Sequence, residues 1–372
     1  MEKRIASKII LASFIVIICL SRILWFFFGK YVDSTNYENR KLATRPELTM
    51  DSYDTFSNEY ESYYNDNLQF RNSLITLNSS IDYFVFSRPS SNKVIIGNDN
   101  WLFYGAVGDG DPISCYQGTN LLNEEELQAL AQNCVKIKEY LNNQGKEFVI
   151  FIAPNKERIY FDEMPEKYGN PADMYCALQV VTYLRESTDV RVVYPYDELM
   201  EAKNILNENI YYKTDTHWNW IGGYVGACSL MKELGIEMPN IYSDEITIVK
   251  EENKSGDLAK MLNLKNLLKN KDYEFSVKGY NEHNVQNVEW DFRNAIIYHA
   301  QGADPRKIYV YRDSFSSQMS DYIGSQFNDS FLRHQDTYSY DDFVQQNPDI
   351  FVYETAERYI RGLSDFSIEG EK

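Results

Sequence analysis

Histidine is scarce: the chain of 372 residues has four. His283, His299 and His334 are scattered, with no i, i+4 pair, so a catalytic metal is not expected, and the sequence asks for no cofactor. Basic charge is also short, with 37 Lys and Arg against 55 Asp and Glu and a net charge of −18. No basic run follows the first residues, which argues against a nucleic-acid partner. The same acidity would repel anionic lipid head groups, leaving a neutral partner such as a glycan hydroxyl as the better fit. Cysteine is sparse and widely spaced, resembling no zinc motif. Cys19 lies in the N-terminal apolar stretch; Cys115, Cys134, Cys176 and Cys228 could form two bridges in three ways or stay as buried thiols. A second long apolar run, an internal repeat and a low-complexity tract are all missing.

Tyrosine, by contrast, is plentiful at thirty residues. Such rings suit core packing first and sugar-facing surfaces second. The one long apolar run is Ile9 to Gly29, behind Lys3, Arg4 and Lys8 and broken only by Arg22. At ~1.5 Å per residue it reaches ~31 Å, about one hydrocarbon thickness. The basic flank predicts a single-pass anchor with its C-terminal side exported, Arg22 snorkelling to the outer interface. A cleaved signal peptide is the alternative, although no A-x-A site follows. The expected organisation is a cytoplasmic flank and anchor over 1–32, then a polar tether (Asp33 to Pro46) and helical segment over 33–90. An α/β domain over 91–372 follows, with a loop-rich insertion near 246–289.

Apolar spacing predicts two helices between Ser52 and Phe86 around a break at Asn65–Arg71. Gly97-Asn98-Asp99-Asn100 between Lys93–Ile96 and Trp101–Tyr104 reads as a hairpin turn. Beyond it, short apolar runs alternate with helical patterns. Glu147–Ala153 (EFVIFIA) is continuous, as a strand covered on both faces would be. Val190–Tyr194, Val288–His299, Lys307–Tyr311 and Asp349–Tyr353 read as further strands, Phe331 closing a short one. Helices are expected at Asn123–Gln144, Ala172–Glu186, Asp197–Lys203, Trp218–Leu234, Phe315–Tyr322, Tyr340–Gln346 and Thr355–Leu363. This alternation predicts a three-layer α/β/α sandwich on a mostly parallel sheet.

Two segments carry chemistry. In Tyr309-Val310-Tyr311-Arg312-Asp313-Ser314 an apolar strand runs through a turn into a helix start. A serine there is presented at the carboxyl edge of the sheet, with backbone N–H groups for a developing oxyanion. In Lys213-Thr214-Asp215-Thr216-His217-Trp218-Asn219 a carboxylate and an imidazole stand two residues apart. A serine needs a base, imidazole suits the task, and a carboxylate fixes its tautomer. Ser314, His217 and Asp215 are therefore the expected nucleophile, base and orienting acid. The competing account makes Ser314, Ser316 or Ser317 the cap of one helix, Thr214 or Asp215 the cap of the other, and His217 a packing residue. Asn155, at the carboxyl end of Glu147–Ala153, is a candidate second oxyanion donor, and Trp218 either walls the site, binds sugar or packs. Glu354 and Arg358 read as an i, i+4 ion pair.

These blocks resemble the SGNH-hydrolase-like acetyltransferases of bacterial exopolysaccharide O-acetylation, the alginate O-acetylation group and its Gram-positive relatives named for an Asp-His-His-Trp motif. This chain has Asp215-Thr216-His217-Trp218 at that point. The likeness also takes in Glu38–Ala43, Asn67–Arg71, Asn100–Tyr104, Pro154–Tyr160, the Asp-Ser-Phe block and Tyr353–Arg358. It implies an SGNH-like sandwich, a Ser–His–Asp triad in which Asp and His precede Ser, and transfer of acetyl groups to polysaccharide hydroxyls outside the cytoplasm. It also implies a multi-span membrane acyltransferase as acyl supplier. Arg312 stands where the family usually has glycine, and either crowds the turn, faces solvent or stabilises the oxyanion. A carbohydrate esterase with the same residues, and a non-catalytic cell-envelope binding module, are the rival readings.

Overall fold

The computed structural model describes residues 2–31, 41–68, 70–280 and 283–369. Positions 33–40 of the tether, Glu38-Asn39-Arg40, Gln69 and the Arg22 side chain lie outside the described residues.

The chain divides into two compact units, Met1–Ser91 with Lys260–Lys265, and Asn92–Ala259 with Asn266–Lys372. The first holds three helices, Glu2–Phe28, Tyr53–Asp66 and Arg71–Phe86. The last two fall on either side of the expected break, and Tyr53–Asp66 buries none of its residues. The first helix covers the apolar run, but among the described residues no helix is long and apolar enough to cross a membrane. The spanning anchor thus rests on the sequence pattern alone.

The second unit is built on sheets. Val94–Ile96 (β1) and Leu102–Tyr104 (β2) pair antiparallel. Asp99 and Asn100 between them take left-handed backbone, φ 47° and 65°, which Asp and Asn tolerate better than most residues. The remaining strands are Glu147–Ala153 (β3), Arg191–Val193 (β4), Thr247–Lys254 (β5), Asp272–Lys278 (β6), Asn284–Trp290 (β7), Ala295–Gln301 (β8), Asp304–Arg312 (β9), Phe327–His334 (β10) and Ile350–Ala356 (β11). Seven form one sheet in the order β4-β3-β11-β9-β10-β8-β7. The five from β4 to β10 run parallel, and β8 and β7 add an antiparallel edge. The sheet is thus mostly parallel, as the sequence reading expects, and its antiparallel edge makes it a mixed one.

The continuous apolar character of β3 has a direct cause. Val149, Phe151 and Ala153 enter one core with Leu199, Trp218, Ile221 and Tyr224. Phe148, Ile150 and Ile152 enter a second core with Leu130, Ile137, Val181 and Leu184. Successive side chains of a strand alternate faces, so a strand between two helical layers must be apolar at every position. The expected single strand Val288–His299 is instead a hairpin of β7 and β8. Asp291 turns the chain there: its carbonyl accepts from Asn294 N–H at 3.0 Å and its Oδ1 from Arg293 N–H at 3.0 Å. The last expected helix is also displaced. β11 runs on through Thr355 and Ala356, and a 3-10 segment follows over Glu357–Ser364. The stretch read as a loop-rich insertion contains the antiparallel pair β5–β6.

Candidate active site

The three central parallel strands β3, β11 and β9 end together, and the candidate residues gather at that carboxyl edge. Ser314 follows β9 with helical backbone, φ −72° and ψ −20°, at the head of a 3-10 turn over Phe315–Gln318. Its hydroxyl makes no capping bond. Asp313 does that work: Oδ1 accepts from Phe315 N–H at 2.8 Å and Oδ2 from Ala356 N–H at 2.7 Å. The turn is thereby pinned to the end of β11. Asp313 N–H in turn donates to Glu354 Oε2 at 2.8 Å. Burial first, then the neighbouring Asp313 carboxylate, pushes Glu354 well above the usual carboxylate range. Both causes favour the neutral form of this carboxyl group.

Freed from capping, Ser314 Oγ donates to His217 Nε2 at 2.8 Å. His217 Nδ1–H donates to Asp215 Oδ1 at 2.6 Å. Asp215 can only accept, which assigns the proton to Nδ1 and leaves Nε2 as the acceptor. Burial would lower the His217 pKa, but the Asp215 charge and hydrogen bond, with Asp257 beyond, hold it above its ordinary value. Burial likewise opposes ionisation of Asp215, and the His217 partner outweighs it, so the carboxylate lies well below its ordinary range. The helix after the loop, Trp220–Glu233, is capped by Asn219, whose Oδ1 accepts from Ile221 N–H at 2.9 Å. Neither Asp215 nor Thr214 is needed as its cap.

The Asp215–His217 loop is held by side chains that sequence reasoning missed. Lys156 is buried, and its Nζ donates to the carbonyls of Tyr212 at 3.1 Å and Asp215 at 2.6 Å. Burial pulls this ammonium down to about 8, against the lift from Glu157, Asp272 and Asp215. Asp272 accepts from Thr214 N–H at 2.8 Å and from the Thr214 hydroxyl. Asp257 accepts from Thr216 N–H at 2.8 Å and Thr216 Oγ1–H at 2.7 Å, while its own N–H donates to Asp215 Oδ2 at 3.0 Å. Gly256 passes so close that a Cβ would stand 2.3 Å from the Asp215 Cβ. Asp257 and Asp272 both come from the 246–289 stretch, where sequence offered no signal beyond a run of polar residues. Lys156 did carry one: Lys156, Glu157 and Arg158 are consecutive charged residues directly after an apolar strand, and all three are buried.

Asp215, His217 and Asp257 offer three ligand-type atoms within 4.8 Å of one another. Their oxygens and nitrogens are already engaged with each other, with Ser314 and with Thr216. The set therefore reads as the orienting network of an imidazole.

The other expectations fare unevenly. Trp218 is buried, with its indole N–H donating to Phe315 O at 2.8 Å and its ring edge-on to Phe315. It packs and ties the histidine loop to the serine turn, so the sugar-facing reading is corrected. Arg312 is also buried, pulled down to about 10 by burial. Its Nη2 donates to Phe292 O at 2.8 Å and its Nη1 to Asp313 O at 3.1 Å. Those donors are spent on backbone carbonyls, which corrects both the solvated and the oxyanion readings. Asn155 is buried at the end of β3. Its N–H donates to Glu357 Oε2 at 3.0 Å and its Oδ1 accepts from Arg358 Nη1 at 3.4 Å. Its Nδ2 has no hydrogen-bond partner. Glu354 and Arg358 are not an ion pair: strand geometry carries Glu354 under Asp313, while Arg358 lies over the rings of Phe315, Tyr104 and Tyr359.

Known proteins share this architecture. A Eubacterium siraeum DHHW family protein has a TM-score of 0.54 at 13% identity, covering 74% of this chain and 96% of that one. Bacillus cereus PatB1, solved with a sulfonyl adduct, gives 0.52 at 14%, covering 74% and 99%. At such identities the likeness concerns the fold. In sequence, a protein described as a probable alginate O-acetylase, AlgJ, from Pseudomonas fluorescens is 26% identical over 221 residues, 56% of this chain and 51% of that protein. The Pseudomonas aeruginosa AlgJ is 28% identical over 185 residues, 48% and 41%. The chain spans about half the length of the curated relatives it matches, or somewhat less. The family model described as "SGNH hydrolase-like domain, acetyltransferase AlgX" matches residues 94–295, more than half of the chain, and includes Asp215 and His217 but ends before Ser314. The chain belongs to this family of SGNH hydrolase-like acetyltransferase domains.

Proposed function

We propose that the protein is a serine O-acetyltransferase acting outside the cytoplasm on a polysaccharide, held to the membrane by its N-terminal apolar segment and supplied by a multi-span membrane acyltransferase. The observation that carries the chemistry is the continuous series Asp215–His217–Ser314, with bonds of 2.6 and 2.8 Å. The family and the AlgJ relatives support acetyl as the group moved. The basic flank and apolar run of the sequence support the anchor and the exported location.

The reaction runs in two halves. Ser314 Oγ attacks the donor's acyl carbonyl while His217 Nε2 takes the hydroxyl proton. The Ser314 backbone N–H meets the tetrahedral oxyanion, and Asn155, whose Nδ2 has no hydrogen-bond partner, is the candidate second donor. Collapse breaks the bond to the leaving group, which departs with the proton from His217 and leaves an acetyl-serine ester. A sugar hydroxyl then attacks that ester, giving its proton to His217. The second collapse breaks the Ser314 ester bond, puts acetyl on the sugar oxygen and returns the proton to Ser314 Oγ. Asp215 stabilises the imidazolium in both halves. Water in place of the sugar would make the same site an esterase. The complete hydrogen-bond series speaks against an idle binding module.

The test offers the purified protein a chromogenic acetyl ester with and without an oligosaccharide, and follows acetyl by mass spectrometry. Acetyl on the sugar, lost in Ser314→Ala, is the expected result. Acetate release unchanged by any sugar would make the protein an esterase, and no turnover would favour the binding module.

A further inference from the structure

Beside the serine turn lies a cavity of about 880 Å³, within the range of roughly 300–1,000 Å³ usual for small-molecule sites. One wall is aromatic. Tyr311 and Tyr353 stack at 4.9 Å between ring centres, Phe366 packs against both, and Tyr338 and Tyr359 complete the lining. Tyr311 and Tyr353 belong to β9 and β11, the strands that end at Ser314 and at the Asp313 pinning point. Arg358 is shared: it lines the cavity and lies 5.3 Å over the ring of Phe315, the residue after the nucleophile. Arg358 is thus the residue that joins the cavity lining to the serine turn.

Its charges decide what it takes. The lining brings two cations, Arg358 and Arg361, and two carboxylates, Asp111 and Asp365, and so has no net charge. Arg361 is occupied, Nη2 donating to Asn120 O at 2.8 Å and Nη1 facing Glu126 at 3.5 Å. Arg358 stands among the fields of Tyr359, Asp313 and Glu157, and Asp109 is close enough to feel it. Two buried polar atoms of the lining, Asn120 Oδ1 and Arg358 Nε, have no partner. Flat aromatic faces, neutral hydrogen-bonding groups and the absence of net positive charge match an uncharged glycan; a uronate or phosphate chain would need cations that are not committed elsewhere.

We propose that this cavity is the acceptor subsite and that it takes a neutral hexose-type glycan, not a polyanionic one. This rests on the acyl-transfer reading of Ser314, and the experiment separates the two. Val107 stands at the rim, 76% exposed, so Val107→Trp fills the opening without entering the core. Full-length protein is given a chromogenic acetyl ester with cellotetraose, chitotetraose or an oligouronate tetramer. Chromophore burst, acetate release and acetylated sugar are followed together. Val107→Trp is expected to keep the burst and the acetate release while lowering transfer to the neutral tetrasaccharides at least tenfold. Phe366→Ala should weaken binding of the same sugars in saturation-transfer NMR. A preference for the oligouronate, transfer unaffected by Val107→Trp, or a normal burst with no neutral sugar bound, would each overturn the subsite. Absence of any burst would overturn the acyl-transfer reading on which it rests.

Discussion

Ser314 leaves a strand in the middle of a seven-stranded sheet, whereas Asp215 and His217 stand on a loop closed by one isolated pairing, Tyr211 with Trp218. The serine turn is fixed by its neighbours in the sheet: Asp313 bonds to the end of β11 and Glu354 of β11 bonds back. The histidine loop lacks such a ladder. It is held by buried polar side chains brought from elsewhere, Lys156 from the end of β3 and Asp257 and Asp272 from the 246–289 stretch. The comparison teaches that a site can place one partner by backbone registry and the other by side-chain bonds. The second kind should be easier to break at a distance.

The largest effect is expected at the point where the two halves meet. Ser314→Ala should lower turnover of an acetyl ester by at least about 10³-fold. Its melting temperature should stay close to that of the parent, because the hydroxyl's recorded bond is the one to His217. Next comes the loop side. Gly256→Ala would drive a methyl group into Asp215, and a displacement of about 1 Å at the imidazole should cost roughly 10²-fold in kcat. Steady-state kinetics with a circular-dichroism control checks it; unchanged kcat would mean that the loop is less tightly held than the comparison requires. Asp272→Ala strips Lys213 and Thr214 of their acceptor. Leaving those groups unsatisfied should cost about 1–3 kcal/mol in urea unfolding.

The serine side should behave differently under a conservative change. Glu354 has a raised pKa, so between the ordinary carboxylate value and that raised value the folded state holds a proton that the unfolded chain has lost. Stability from this group therefore falls as pH rises through that window. Glu354→Gln keeps the acceptor for Asp313 N–H and removes the ionisation. Its melting temperature relative to the parent should rise from pH 4 to pH 8, with activity nearly unchanged. The smallest effect is a shift in a pH profile. His217 must be neutral to act as base, so kcat/KM should rise with pH through a midpoint above about 6.5. Asp257 contributes to that elevation, and Asp257→Asn should move the midpoint down. A midpoint that stays put would remove Asp257 from the electrostatics and leave it a loop support only.

The contrast between the two sides also explains what could be read in advance. The strand of Ser314 and its turn were legible because an apolar run, a turn and a helix start are local signals. Asp215 and His217 were legible because both sit within three residues of one loop. The apolar run of β3 announced a doubly covered strand for the same local reason. The supports of the histidine loop were not legible, since they come from positions far along the chain and nothing in their spacing marks them. The solvent-facing reading of Arg312 failed for a related reason, since a charged residue at a turn ordinarily faces water, and for Trp218 the sequence could not choose packing, one of its readings, over a ligand-facing ring. Here long-range partners, Phe292 O and Phe315 O, hold both inside. The hairpin of β7 and β8 was read as one strand because the turn at Asp291 contains neither glycine nor proline.

The most direct measurement is intact and peptide mass spectrometry of the protein after brief mixing with a chromogenic acetyl ester, on the parent chain and on His217→Ala. The account predicts one acetyl group on the peptide containing Ser314, formed with the chromophore burst and absent or much slowed in His217→Ala. Acetyl found on another residue, or on Ser314 at the same rate without His217, would contradict it.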